Sequence, residues 1–78
     1  MSRLDDILGE AYMTMQRQAD KPAAIAMIRN AFKEMPELRT SAGTRLQQLN
    51  QVIAARGRRA CHVSSVLYDL LGQALAAE

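Results

Sequence analysis

The stretch Ala54-Ala55-Arg56-Gly57-Arg58-Arg59-Ala60 joins two segments of helical apolar spacing, and whether it continues or breaks the helix decides the fold. Read as continuous, residues 41–76 make one helix of about 36 residues, roughly 54 Å long at 1.5 Å per residue. Such a rod cannot bury its own apolar stripe inside one small monomer and would have to dimerise. Read as broken, the two halves fold back on each other. Glycine reaches backbone conformations closed to other residues and commonly ends a helix, so Gly57 is expected to terminate the third helix as its C′ residue.

Before the break, Ala42, Leu46, Leu49, Val52 or Ile53, and Arg56 share one helix face, while Gln47, Gln48, Asn50 and Gln51 cover the other. Thr40 or Ser41 is the expected cap, which leaves residues 36–43 as the longest loop. After the break, Val63, Val66, Leu67, Leu70, Leu71, Ala74 and Leu75 recur at steps of three and four. This is the most hydrophobic segment, and the spacing predicts it to be central and most buried.

The N-terminal half reads as two helices. Ser2 caps the first, with Asp5 and Asp6 against the positive end of the helix dipole. Leu4, Ile7, Leu8, Ala11, Tyr12, Met15 and Ala19 form its stripe. Gly9 inside it costs up to about 1 kcal/mol relative to alanine, which a close helix crossing would explain. Asp20-Lys21-Pro22 opens the second helix, with Ile25, Ile28, Ala31, Phe32 and Met35 on its apolar side, and Pro36 stops it. The expected fold is all-α: one domain over residues 1–78, a bundle of three to four helices at about 3–19, 22–35, 41–56 and 58–76.

A 78-residue chain buries only about 60% of its unfolded surface, so the core needs a supplement. Cys61 is the single cysteine, which excludes an intramolecular disulfide and fits a reducing, cytoplasmic setting. Association with a second copy or a partner is the remaining route, and a homodimer is expected. No run of about 18 apolar residues is present, so no membrane span is expected, and the N-terminus lacks the order of a signal peptide.

Catalytic constellations are weak. His62, Ser65 and Asp69 share roughly one side of a helix, but Asp69 sits in register with Ser65 rather than His62, and one helix face offers no pocket. Cys61-His62 has no further Cys or His to complete a zinc site. Asp6 and Glu10 lie one turn apart, where solvation and the helix dipole account for them. Gly9, Gly43, Gly57 and Gly72 are isolated, so there is no phosphate loop. A non-catalytic protein without metal or cofactor is the expectation.

Charge is the informative departure. Residues 1–37 carry five basic and six acidic side chains, net −1, whereas residues 38–78 carry five and two, net +3. A helix C-terminus alone accounts for part of the basic cluster. Beyond that, arginines grip carboxylates or phosphates with the same fork of donors. Two lysines, a net charge of +2 and the lack of aromatics among the arginines favour a protein partner with an acidic patch. The residues expected to bind it are Arg45, Arg56, Arg58 and Arg59. Met13 and Met27, which fall beside the apolar stripes and adapt to irregular surfaces, are expected to join them. The rival expectation is a nucleic-acid binder using Arg39, Arg45, Arg56, Arg58 and Arg59 on phosphates. A small accessory or adaptor protein of a bacterial or phage system suits the size.

Overall fold

Side-chain caps set the helix starts in the N-terminal half of the computed structural model, which describes residues 2–76. The Asp5 amide donates to Ser2 Oγ at 3.2 Å and opens α1, Arg3–Gln18. Ala19 closes α1 in the left-handed conformation, φ 50° and ψ 34°, its amide donating to the Met15 carbonyl at 3.0 Å. The Ala23 amide donates to Asp20 Oδ1 at 3.1 Å and opens α2, Lys21–Glu34, with Pro22 in the first turn. Ala19, expected in the apolar stripe, is instead this exposed cap.

The third helix begins earlier than its cap residues suggest. α3 spans Leu38–Arg56, so residues 38–43 are helix rather than loop. Pro36 and Glu37 form a tight turn closed by the Leu38 amide on the Met35 carbonyl at 2.9 Å and the Arg39 amide on the Pro36 carbonyl at 3.1 Å. Leu38 and Ala42 are both buried and lie one turn apart, so an extra turn of helix extends the apolar stripe. That gain outweighs capping by Thr40 or Ser41, which lie exposed within the helix.

Gly57 breaks the helix. Its amide donates to the Ile53 carbonyl at 2.7 Å, and its φ of 84° with ψ of 151° sends the chain outward rather than around a further turn. The positive φ is as expected for glycine, but the residue is extended in ψ rather than left-handed helical. Residues Arg58–Ala60 then make a 3-10 turn, and α4 spans His62–Ala76, starting four residues later than expected. The longest dimension of the molecule is 34 Å, well short of a 54 Å rod.

The result is an all-α bundle of four helices, with no strand among the described residues. Leu4, Ile7, Leu8 and Ala11 of α1 meet Ala24, Ile28, Ala31 and Phe32 of α2 in one core, completed by Leu38, Ala42 and Leu49 of α3 and Leu70, Leu71 and Ala74 of α4. Phe32, Ile28, Leu70 and Leu71 are its largest fully enclosed side chains, each contributing about 1.5–3 kcal/mol by burial. α4 packs against all three other helices, as each of them also does against the rest. It is not the most buried one: its first apolar residue, Val63, is 48% exposed, and α1, α2 and α3 each bury four residues to its three. Of the pair left open on α3, Ile53 is buried and Val52 exposed, since adjacent residues point about 100° apart. Met35 also lies exposed at the end of α2.

Ion pairs link α1 to α3 and α2 to α4. Arg45 Nη1 of α3 pairs with Asp5 Oδ1 of α1, and Lys21 Nζ of α2 lies 2.6 Å from Asp69 Oδ2 of α4. No helix among the described residues is long and apolar enough to cross a membrane.

The glycines yield two predictions. Gly57→Ala forces a side chain into a conformation nearly exclusive to glycine and should destabilise the fold by about 1–3 kcal/mol in urea unfolding. Gly9 has open space, not a helix crossing, at its Cβ position, contrary to expectation. Gly9→Ala should therefore raise stability by up to about 1 kcal/mol, and a loss of stability in the same assay would contradict this.

Candidate functional site

Three exposed arginines surround the break: Arg56 at the end of α3, and Arg58 and Arg59 in the 3-10 turn. The turn is held from beneath. The Cys61 thiol, buried, points at the Val52 carbonyl oxygen at 3.9 Å, the Cys61 amide donates to the Arg58 carbonyl at 3.2 Å, and Ser65 Oγ donates to the same carbonyl at 3.5 Å. Arg58 lies with its guanidinium 6.0 Å from the centre of the Tyr68 ring. Arg56 and Arg59 have no ion-pair partner among the described residues.

Two valines accompany these cations. Val52, 40% exposed, is one turn before Arg56 on the same face of α3. Val63, 48% exposed, begins α4 two residues beyond Cys61. Spacing alone puts Val63 in the α4 stripe and leaves Val52 open against Ile53. The usable signal was the Val52-Ile53 doublet, since only one of two adjacent helical residues can face the core squarely.

The other expected binding residues lie elsewhere. Arg45 is eleven residues before Arg56, about 16 Å along the same helix, and its guanidinium is taken by Asp5. Arg39, a further turn and a half away, has its guanidinium 5.9 Å from the centre of the Phe32 ring. The five arginines thus form a cluster of three and two separate contacts, not one patch.

Met13 and Met27 do come together, in a shallow groove between α1 and α2 lined also by Asp5, Asp6, Gly9, Glu10 and Thr14. Thr14 Oγ1 donates to the Glu10 carbonyl at 3.0 Å and lies 3.3 Å from Met27 Sδ. Met13 is 42% exposed. The rim of this groove is acidic, and no corner arginine lines it, so the methionines do not flank the arginines of their own chain.

The remaining polar groups have structural partners. Ser65 donates to Arg58, His62 Nε2 lies 3.5 Å from Gln16 Nε2, and Asp69 is held by Lys21 and by Gln73 Nε2 at 3.0 Å. The three residues are therefore not linked as nucleophile, base and orienting acid. Among the described residues no group of three His, Cys, Asp or Glu side chains is placed to hold a metal ion. The Arg45 and Ser2 hydrogen bonds hold the Asp5 carboxyl below its ordinary value of 3.8, and those of Lys21 and Gln73 do the same for Asp69. No family model, curated protein or solved structure matches this chain.

A carboxyl whose folded pKa is depressed favours the fold above its unfolded value and loses that contribution as pH falls through the folded one. Acidification below about pH 4 should therefore remove the Lys21–Asp69 contribution. Because the pair is half exposed, Asp69→Asn should cost less than about 1 kcal/mol at neutral pH. The gap between variant and wild type should close toward pH 2 in urea titrations.

Proposed function

We propose that this protein is a small, non-catalytic adaptor that binds an acidic patch of a protein partner in the cytoplasm through the arginine corner at Gly57. The observation that carries this reading is the pairing of unneutralised arginines with exposed valines. Arg56 and Arg59 supply forks for carboxylates, and Val52 and Val63 supply apolar area beside them. Phosphates would use the arginines but leave the valines in water.

Supporting the choice further, Arg39 and Arg45 are engaged within the chain and stand apart from the corner. A nucleic-acid reading thus keeps three arginines of its five. With few phosphates neutralised, nucleic-acid affinity would be low and would fall with the logarithm of salt by a small slope.

Immobilised protein should retain an acid-rich partner from its native host, and R56A/R58A/R59A should weaken that retention by about tenfold or more. Mixed-sequence duplex should give no gel shift at low salt. Retention unchanged by the triple substitution would exclude the corner as the binding surface, and a duplex shift that vanishes as salt rises would favour the phosphate reading.

A further inference from the structure

The chain carries both halves of a complementary contact on separate elements. One half is the corner: Arg56 and Arg59, without an ion-pair partner among the described residues, with Val52 and Val63 exposed near them in sequence. The other is the α1–α2 groove, apolar at Met13 and Met27, with Asp6 and Glu10 at its rim. Among the described residues those two carboxylates have no ion-pair partner, while neighbouring Asp5 is already taken by Arg45. Across Met27 a second cleft adds Glu34 and one cation, Arg3, so this face remains net negative. The corner is cationic and the groove rim anionic, and both present apolar side chains beside their charges, so charge is opposed and apolar area is matched.

Their relative placement decides what assembly follows. Gln16 lies one turn beyond Met13 on the same face of α1, and its side chain meets His62, the residue that follows the Cys61 end of the corner. The groove's Met13 end and the corner are therefore neighbours on one flank of the molecule. Two surfaces that are neighbours on one flank can be satisfied twice by a two-fold axis, each serving the other copy.

We infer that the occupant of the Met13–Met27 groove is the Gly57 corner of a second copy, in a closed two-fold dimer with two identical corner-in-groove contacts. Arg56 and Arg59 of one chain face Asp6 and Glu10 of the other, and Val52 and Val63 pack on the flexible methionines. The inference rests on the corner being a protein-binding surface, as proposed above. It deepens that reading: the dimer covers the corner until an acidic partner competes for it.

Charge exchange tests the contact. In sedimentation equilibrium at low salt, wild-type protein should approach twice the monomer mass and dissociate as salt is raised. R56E/R59E and D6K/E10K should each weaken dimerisation by at least about tenfold, because each sets like charges together twice. Mixing the two variants restores opposite charges at both contacts and should recover a 1:1 dimer. A wild-type monomer at all concentrations would overturn the inference. So would a dimer indifferent to either variant, or a mixture that stays monomeric while both variants keep wild-type helical circular dichroism. The partner assay separates this inference from the proposed function: a partner kept by D6K/E10K and lost by R56A/R58A/R59A upholds the corner even if no dimer forms. A dimer rescued by charge exchange stands even if no partner depends on the corner.

Discussion

With φ at 84° and ψ at 151°, Gly57 holds the one conformation that turns α3 away from its own axis, and the remaining packing depends on that turn. Without it, the apolar faces of α3 and α4 lie along a rod and neither can reach the other. With it, α4 returns beneath α2 and α3 and delivers Leu70, Leu71 and Ala74 to the core around Phe32 and Ile28. An alanine at this position meets no steric obstacle from neighbours, so the requirement for glycine is one of backbone conformation, not of space.

Apolar contact and charge divide the work of assembly. α1 packs most closely on α2, and α3 on α4, so sequence neighbours form two helical hairpins joined by apolar faces. The Asp5–Arg45 and Lys21–Asp69 ion pairs run between the hairpins. Exposed pairs of this kind add little stability, so the apolar faces carry most of the docking energy. The pairs also consume Arg45, leaving cationic surface only where the fold exposes it.

Much of this architecture is legible in the residues. Ser2, Asp20, Pro22 and Pro36 mark helix ends by local chemistry, and the structure has helix boundaries beside each of them. The start of α3 is less legible, because burial of Leu38 and Ala42 outweighs the capping preference of Thr40 and Ser41. The exposure of Val52 and Val63 depends on which neighbour reaches α3 and α4, and that is tertiary information. For the same reason, spacing alone could place Met13 and Met27 beside the stripes but could not show that their groove is rimmed by Asp6 and Glu10.

The short connections have a kinetic consequence. Two residues separate α1 from α2, three separate α2 from α3, and five, including the 3-10 turn, separate α3 from α4. Little loop-closure entropy opposes the formation of either hairpin, and helical topologies of this kind fold in roughly microseconds to milliseconds. The Gly57 corner lies wholly within one hairpin, so the contacts that shape it are close in sequence and carry little of the loop-closure cost.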